Sequence, residues 1–345
     1  MIDPATVQVI APNLKKRYSG VTSTVLRLVP LQARQIAIAS VGPKLPDDLP
    51  QIRLRDLLTM PRNRRVWHAR RNNEMLVGLI LKHVLRQPLK LMFTSAAQRH
   101  HSGYTKWLIR QMNALVATSS RSAAFLDREA QVIPHGIDTD HFCPPADQAT
   151  LRQKLGLPVN TVLLGCFGRV RPSKGNDLFI DAMIDLLPRF PNVHAVMMGG
   201  VTKQFTDYLE DLKERIAASP VADRIHILPE DPGWTIAPWF QALDLYIAPQ
   251  RNEGFGLTPL EAMSCGVPSI ATRTGAFEEI VADGETGTLV PTNDGTALTD
   301  AIEQVLTAPE ILERWKGNCR PRAVNGFRIA DEAEALTAIY RRLLA

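Results

Sequence analysis

The feature that most constrains the fold is an alternation of short apolar segments with amphipathic segments, which runs through the chain twice. Helical spacing of apolar residues fills most of the intervals, for example at residues 177–187 and 207–218. Such alternation predicts βαβ units and parallel sheets that are covered on both faces. The predicted strands cover residues 7–11, 35–41, 90–93, 114–118, 131–134, 162–167, 194–198, 224–228, 245–248, 267–271 and 287–290.

The two runs of the pattern are separated by a break at residues 143–147, where two consecutive prolines and the loss of periodicity indicate a linker. A length of 345 residues agrees with two domains. We therefore predict an α/β protein with two Rossmann-like domains that face a central cleft. The N-terminal domain is expected at 1–145 and the C-terminal domain at 146–326, with a final helix at 327–345 that packs back on the N-terminal domain.

Charge is divided unevenly between the two halves, although the whole chain carries only +5. Residues 1–150 contain 21 Lys+Arg against 10 Asp+Glu, and residues 151–345 contain 19 against 25. Residues 53–71 form a predicted irregular loop with seven arginines, five of them within ten residues: Arg62, Arg64, Arg65, Arg70 and Arg71. The basic half is expected to meet an anionic membrane surface or a phosphorylated acceptor, or to be a solvated surface without a partner. Nucleic acid is not favoured, because the basic residues are dispersed and no nucleic-acid-binding motif is present.

Two further patterns bear on the compartment. The longest apolar run, residues 75–85, is interrupted by Lys82 and His83, so it predicts a packed helix instead of a membrane span. The N-terminus lacks a basic segment followed by an apolar one, and the four cysteines are single, with no CxxC pair. We therefore expect a cytoplasmic protein without a zinc site or a disulfide framework.

The loop after the predicted strand 162–167 is rich in cations. It runs from Gly168 to Gly175 and contains Arg169, Arg171 and Lys174 just before a predicted helix. Cations beside a helix N-terminus are suited to a diphosphate, since the amide groups and the helix dipole attract negative charge. An exposed basic turn without a ligand is the alternative reading of this loop.

The segment EGFGLTPLEAM at residues 253–263 follows another predicted strand. Thr258 is expected to be a helix N-cap with Glu261 three residues later, the pattern of a capping box, which would give Glu261 a structural role. The amides at the same helix start would form a second anion site, with Glu253 in the loop before it. Carboxylates that bind ribose hydroxyls beside amides that bind phosphate would make a nucleotide site.

These motifs resemble the retaining glycosyltransferases of family 4, which have the two-domain GT-B fold. Glu253 and Glu261 match the family's E-x7-E signature, and Arg169 and Lys174 match its GR-x4-KG phosphate pattern. The segments TGAFEEIVADGETGTLV, VIPHGIDTDHFCP and YSGVTSTV, the last containing Gly20, also resemble the family. Within it, HARRNNEM, TSAAQRHHSG and RNEGFGLTPLEAM look most like bacterial mannosyltransferases of lipopolysaccharide core assembly.

The resemblance implies roles for named residues. Arg169 and Lys174 would hold the donor diphosphate and stabilise it as a leaving group, and Glu253 would lie at the sugar. Glu261 would bind the ribose hydroxyls, and the loop after Leu228 would contact the base. The remaining donor-binding residues would contribute mainly backbone groups: Gly20, Gly254, Phe255, Gly256, Leu257 and Thr258.

The acceptor side is less defined. Many family members have a histidine where this chain has Phe93, so other residues of the basic half are candidates for that role. The acceptor-side candidates are His68, Arg70, Arg71, His100 and His101. Each histidine has the alternative of a purely structural role, and the same is true of His135.

The resemblance implies a retaining hexosyltransferase that moves mannose from GDP-mannose to a lipopolysaccharide core or another lipid-linked anionic saccharide. The enzyme would act at the cytoplasmic face of the inner membrane, without a cofactor or a metal, because the expected loop has no DxD-type motif. The alternatives are a UDP-sugar-dependent transferase with another acceptor and a GT-B nucleotide-sugar epimerase or hydrolase. A non-enzymatic anion-binding protein is the remaining class.

Overall fold

The computed structural model describes residues 1–15, 20–231 and 235–345. They form two compact units: a first unit of residues 1–136 with 329–345, and a second unit of residues 137–328. The division falls nine residues before the expected domain boundary at residues 145 and 146, because Ile137 already pairs with the second unit. Its amide donates to the Phe327 carbonyl at 2.8 Å, and it forms a parallel bridge with Arg328.

The first unit is built on a parallel sheet of six described strands in the order β2-β1-β3-β4-β5-β6. The strands are β1 (Val9–Pro12), β2 (Ile38–Val41), β3 (Arg65–Ala69), β4 (Leu89–Ser95), β5 (Ala114–Ala117) and β6 (Gln131–Val132). The helices between them are α1 (Gly20–Gln32), α2 (Asp56–Thr59), α3 (Asn72–His83), α4 (Gly103–Arg110) and α5 (Ser120–Ala123). Helix α3 includes most of the apolar run at residues 75–85, as predicted.

The prediction of an irregular basic loop at residues 53–71 is wrong. The segment contains helix α2 and the central strand β3, which pairs with both β1 and β4. Arg65, expected in the exposed arginine cluster, has no exposed surface. Its guanidinium donates to the carbonyls of Val7 at 2.8 Å, Pro61 at 2.5 Å and Asn63 at 3.1 Å, so the buried charge is solvated by the backbone.

The second unit is also a parallel sheet of six described strands, in the order β12-β11-β10-β7-β8-β9. The strands are β7 (Val162–Phe167), β8 (Val193–Met198), β9 (Ile225–Leu228), β10 (Leu245–Ala248), β11 (Ser269–Thr272) and β12 (Gly287–Val290). The helices are α6 (Gln148–Lys154), α7 (Asn176–Leu186), α8 (Thr206–Ala217), α9 (Ala237–Gln241), α10 (Thr258–Ser264), α11 (Phe277–Ile280), α12 (Gly295–Thr307) and α13 (Pro309–Gly326). The sequence pattern predicted all six strands of this unit, as well as helices α7 and α8, to within two residues at each end.

The last helix, α14 (Ile329–Leu344), belongs to the first unit, although it follows the second in sequence. It packs on α1, and its buried face includes Leu336, Ile339 and Tyr340. The Gln32 side chain donates to the Tyr340 hydroxyl at 3.4 Å in this contact. Each sheet is covered on both faces by apolar clusters, so the predicted α/β class with two parallel sheets is confirmed. Among the described residues no helix has the length and apolarity that crossing a bilayer requires.

Candidate active site

The strongest candidate site lies where the strand order of the second unit reverses. If β7 is counted as strand 1 and the sheet is read from the β9 edge, the strand order is 3-2-1-4-5-6. The order therefore reverses between the adjacent strands β7 and β10. Ligands of open parallel sheets bind at this point, beyond the carboxyl ends of the strands. The loop after β7 carries the predicted phosphate residues, and the loop after β10 carries the segment EGFGLTPLEAM. The amides of Arg251 and Asn252 both donate to the Ser173 carbonyl, at 3.1 and 3.4 Å, and join the two loops.

Lys174 and Glu253 form an ion pair across these loops. Their side chains are 18% and 19% exposed, so the pair is largely shielded while still in reach of a ligand. The other carboxylate oxygen of Glu253 accepts from the Gly254 amide at 3.0 Å. Two predicted catalytic residues that are 79 positions apart in sequence are therefore in direct contact.

Two glycines permit the close approach of the loops. Gly175 has a φ of +68°, and a Cβ there would lie 2.1 Å from the carbonyl oxygen of Pro249. Gly256 has a φ of +88°, and its Cβ would lie 2.2 Å from the Phe277 ring and 2.8 Å from Cγ of Glu253. A side chain at either position would force the loops apart and displace Lys174 or Glu253.

Arg251 was missed by the sequence analysis, and it fixes the position of the Lys174 loop. Its guanidinium donates to both carboxylate oxygens of Asp177 at 2.8 Å and to the Pro172 carbonyl at 2.5 Å. The Tyr208 hydroxyl adds a bond to Asp177 at 2.9 Å. Burial alone raises the pKa of Asp177, but the bonds from Arg251 and Tyr208 outweigh it and leave that pKa below the ordinary value. The 3-10 turn Pro172–Lys174 is thus bound to the loop after β10, and Arg251 of that loop also holds the first turn of α7 through Asp177.

The start of α10 is fixed by a buried tyrosine, and this corrects the predicted capping box. Helix α10 begins at Thr258 with Leu257 as its N-cap, and no side chain caps that position. The Thr258 hydroxyl instead bonds the Tyr246 hydroxyl, which also donates to the Phe167 carbonyl at 2.9 Å. Burial raises the pKa of Tyr246 well above its ordinary value, so the phenol stays neutral. Glu261 lies in the first turn of α10, three residues after Thr258, and is 6% exposed.

The remaining donor-side candidates are located as follows. Arg169 is half-buried in the loop directly after β7, and Phe255 is buried against the core of the second unit. Gly20 is the exposed first residue of α1, while Tyr18 and Ser19 of the same motif fall outside the described residues. The predicted base-contacting loop after Leu228 includes 232–234, which are also outside the described residues.

His68 is enclosed in the first unit. It has no exposed surface, and its ring nitrogens bond the hydroxyls of Tyr340 at 2.6 Å and Thr94 at 2.7 Å. Burial, reinforced by the positive charge of Arg70, lowers the pKa of His68 well below its ordinary value. The predicted acceptor-side role would therefore require His68 to become accessible. Phe93, at the family's histidine position, is buried in the core beside β3.

Arg70 and Arg71 follow β3 and are held by a buried carboxylate. Glu74 accepts from Nη1 of Arg71 at 2.6 Å and from the Arg70 amide at 2.8 Å. Arg71 also donates to the Asn13 side chain at 2.9 Å, just after β1. The strand order of the first unit reverses between β1 and β3, so these residues occupy the switch point of this sheet.

His100 and His101 lie in the loop between β4 and α4, along an open cavity of about 750 Å³. Asn72, at the start of α3, lines the same cavity. The His100 ring packs edge-on against Phe125, and His101 is 3.4 Å from the Ser95 hydroxyl. Burial lowers the pKa of His101 below its ordinary value, which favours the neutral ring.

Comparison with known proteins agrees with this arrangement. Residues 147–322 match the family described as "Glycosyl transferases group 1", which covers the candidate site of the second unit. The lipopolysaccharide core biosynthesis mannosyltransferase LpcC of Rhizobium leguminosarum bv. viciae is 48% identical over 100% of this chain and 99% of its own. The lipopolysaccharide core biosynthesis mannosyltransferase LpsB of Rhizobium meliloti (strain 1021) is 48% identical over the whole of both chains.

The fold also matches solved structures. The crystal structure of Anabaena Alr3699/HepE in complex with UDP aligns with a TM-score of 0.85 over 97% of this chain and 100% of that one, at 19% identity. This likeness, together with the two parallel sheets, confirms the predicted GT-B fold. The chain is an enzyme and belongs to the group 1 glycosyl transferases.

Proposed function

We propose that this chain is a retaining mannosyltransferase that uses GDP-mannose and acts on a lipopolysaccharide core or another lipid-linked anionic saccharide. The observation that carries the proposal is the contact between Lys174 and Glu253 at the strand-order reversal of the second unit. The names of the two full-length relatives support the sugar and the acceptor class, since both are lipopolysaccharide core mannosyltransferases.

The donor would be held by residues with complementary chemistry. Arg169 and Lys174 would neutralise the diphosphate, Arg169 through a planar fork and Lys174 as a compact charge. Glu261, buried in the first turn of α10, would accept from the ribose hydroxyls. The backbone from Gly254 to Thr258 would contact the phosphate and the sugar, since glycine at 256 allows a close approach.

The reaction needs stabilisation of separated charge. As the bond between the anomeric carbon and the phosphate oxygen breaks, negative charge accumulates on the diphosphate and positive character on the sugar. Lys174 would stabilise the first and Glu253 the second, and preorganised charges act without the cost of reorientation. The acceptor hydroxyl would attack from the face that the diphosphate leaves, which retains configuration, and its proton would pass to a phosphate oxygen of the leaving group.

The Lys174–Glu253 contact also sets the geometry of the two groups before a donor arrives. Lys174 is held by its ion pair and by a loop that Arg251 and Asp177 fix, and Glu253 is held by the Gly254 amide. Removing one partner would leave the other charge misplaced in a largely shielded site. We propose that these cations serve without a metal or another cofactor.

The acceptor would meet the first unit, which supplies the cationic side chains. Arg70 and Arg71 lie at the switch point of that sheet, and His100 and His101 line an open cavity beside α3 and α4. An anionic saccharide suits this surplus of positive charge. We propose that the enzyme acts at the cytoplasmic face of the inner membrane as a peripheral protein and that nucleic acid is not a partner.

A thermal-shift panel with GDP-, UDP-, ADP- and CMP-sugars tests the donor. A ligand at 100 times its dissociation constant stabilises the folded protein by about 2.7 kcal/mol, which a melting curve resolves. We expect GDP-mannose to give the largest shift, whereas preference for a UDP-sugar would favour the alternative transferase. Product that forms from the donor without any acceptor would favour the epimerase or hydrolase.

A further inference from the structure

Seven exposed apolar side chains lie on one helical layer of the first unit. They are carried by the α2 segment, by α3 with the residue that follows it, and by α4. We call this surface the outer helical face, and it consists of Leu54, Leu58, Leu76, Ile80, Val84, Tyr104 and Trp107.

The three helices share one face of the sheet, because their inward side chains belong to a single core cluster. Leu57 of α2, Leu79 of α3 and Leu108 of α4 all pack in it. The starts of α3 and α4 are joined by a bond of 2.8 Å from the Asn72 amide group to the Thr105 hydroxyl. The outward side chains of the three helices therefore lie on one side of the sheet, and those of α3 and α4 are neighbours.

These outward side chains follow helical spacing. On α3, Leu76 and Ile80 are four residues apart and are 37% and 44% exposed, and Val84 continues the stripe with 71% exposed. On α4, Tyr104 and Trp107 are three residues apart, and their rings stack with centroids 6.3 Å apart. Helix α3 is thus apolar on its inner side and again on its outer side, which indicates a second apolar environment.

The concentration of apolar groups is specific to this layer. Of the ten exposed large hydrophobic side chains that the structure describes, the outer helical face holds seven. Only Val201 belongs to the second unit, and Met1 and Val132 lie elsewhere in the first. Scattered exposed apolar residues need no explanation, but a clustered group of this kind marks an interaction surface.

The same part of the chain carries a large positive surplus. Residues 53–111 contain 13 Lys+Arg and only two acids, Asp56 and Glu74. Glu74 is fully buried and paired with Arg71, so it does not offset the surface charge. Along the sequence, the cations beside the apolar residues of α3 and α4 are Lys82, Arg86, Lys106 and Arg110. Lys106 is paired with Asp127 at 3.0 Å, so Lys82, Arg86 and Arg110 are the cations offered to a partner.

We propose that the outer helical face docks on an anionic phospholipid bilayer, with Ile80, Val84 and Trp107 in the acyl boundary and the cations at the headgroups. An apolar stripe with a Trp and a Tyr, bordered by Lys and Arg, is the pattern of helices that lie in the membrane interface. Charge complementarity favours a bilayer with acidic lipids. The inference rests on the proposed lipid-linked acceptor, because docking would bring the adjacent cavity of His100 and His101 close to that acceptor.

Binding to vesicles, measured by co-sedimentation in the absence of donor and acceptor, tests the apolar part. The variant Ile80→Ser with Val84→Ser keeps every charge and removes two apolar groups. We expect its partition onto vesicles of phosphatidylglycerol and phosphatidylethanolamine to fall about tenfold or more. The matched control is Val132→Ser with Val201→Ser, which changes two exposed valines outside the face and should bind as the wild type does. Equal partition of both variants and the wild type would overturn the proposal.

The charges are tested separately. Neutralising Lys82, Arg86 and Arg110 to Gln should weaken binding to the acidic vesicles, and 0.5 M salt should weaken binding of the wild type in the same way. Binding that is as strong on pure phosphatidylcholine as on acidic vesicles would contradict the anionic surface as partner.

Insertion has a direct signature. Brominated lipids should quench part of the tryptophan fluorescence in the wild type, and this part should be missing in Trp107→Phe, because the other described tryptophans are less exposed. The proposal fails if quenching is the same in both. It also fails if sedimentation velocity shows the wild type as a dimer and the Ile80→Ser, Val84→Ser variant as a monomer. A second copy of the chain would then cover the outer helical face.

The failure of docking and the failure of the proposed function give different results. Transfer to a water-soluble, deacylated acceptor saccharide should be unchanged in the Ile80→Ser, Val84→Ser variant, while transfer to the same saccharide embedded in vesicles should fall. Vesicle binding without any mannosyl transfer would leave the docking surface standing and remove the function. Normal transfer to the embedded acceptor without vesicle binding would remove the docking surface alone.

Discussion

The two units share a parallel-sheet architecture but differ in their surfaces. The first unit carries 23 Lys+Arg against 10 Asp+Glu, a charge of +13, whereas the second carries 17 against 25, a charge of −8. Nine of the ten described exposed large hydrophobic side chains belong to the first unit. In the second, the cations at the strand reversal are held by carboxylates, as Lys174 is by Glu253 and Arg251 is by Asp177.

The same parallel-sheet architecture thus supports two kinds of surface, which suit two kinds of recognition. The second unit positions a few charges accurately, which suits a small, highly charged ligand such as a nucleotide sugar. The first unit presents diffuse positive charge and apolar area, which suits an extended anionic surface. Changes in the two units should therefore affect different measurements.

Arginines of the first unit should separate into structural and surface groups. Arg65→Ala would leave the buried Val7 carbonyl and the half-buried carbonyls of Pro61 and Asn63 without this donor and would remove a fully buried side chain, so we expect the free energy of unfolding to fall by about 3 kcal/mol. Arg62→Ala, three positions away and exposed, should change it by less than about 0.5 kcal/mol. Urea denaturation of both variants checks this, and equal stabilities would contradict the buried role of Arg65.

Lys174→Ala should lower turnover by about 100-fold or more, the usual effect of removing one preorganised stabilising group. The fold should survive, because Lys174 ends a short turn on the loop after β7. Lys213→Ala is the matched control, since this lysine is exposed and pairs with Glu210 on α8 of the same unit. Steady-state kinetics of both variants decide, and turnover like that of the wild type in Lys174→Ala would refute the diphosphate role.

Glu261→Gln should weaken nucleoside diphosphate binding by about 1–2 kcal/mol, because an amide replaces a charged acceptor for the ribose hydroxyls. In the structure Leu257, and not Thr258, is the N-cap of α10, so Glu261 stands one position beyond the N3 position of a capping box. Calorimetric titration with GDP measures the effect, with the exposed Glu310→Gln as control. Unchanged affinity in Glu261→Gln would withdraw the ribose assignment.

Arg251→Lys should lower turnover by about tenfold, because an ammonium cannot bind both oxygens of Asp177 and the Pro172 carbonyl at once. Arg251 would act through the position of Lys174, so kcat should fall while the affinity for the nucleoside diphosphate changes less. Arg273→Lys, an exposed arginine of the same unit, should leave kinetics unchanged. A loss of thermal stability without a change in kcat would show Arg251 to be merely structural.

The smallest expected effect is a dependence of stability on pH. His68 is held neutral with a lowered pKa, so the unfolded chain binds a proton more readily than the folded one. Its contribution is complete above the unfolded pKa of about 6.5 and is lost as pH falls below it. The free energy of unfolding between pH 7 and 5 should therefore fall less steeply in His68→Gln than in the wild type, and parallel profiles would contradict this.

Much of the fold was predictable because apolar periodicity reports burial. Strand β3 was missed because its sequence, RVWHA, contains Arg and His, which interrupt the apolar pattern. Both side chains are nevertheless buried, since tertiary hydrogen bonds satisfy their polar groups. The pair Lys174 and Glu253 was predicted from motifs, but the contact of Arg251 with Asp177 was not. Those two residues are 74 positions apart, and only the strand order that brings β7 beside β10 joins them.

The central claim is that the second unit binds the donor and the first unit binds the membrane. Two affinities measured on two variants of the full chain test it. GDP-mannose binding by calorimetry and partition onto acidic vesicles are compared for Lys174→Ala and for Ile80→Ser with Val84→Ser. We predict that Lys174→Ala loses donor affinity and keeps vesicle binding, and that the double variant does the reverse. A stably folded variant that loses both donor binding and vesicle binding would contradict this separation. The same holds if each variant retains both affinities.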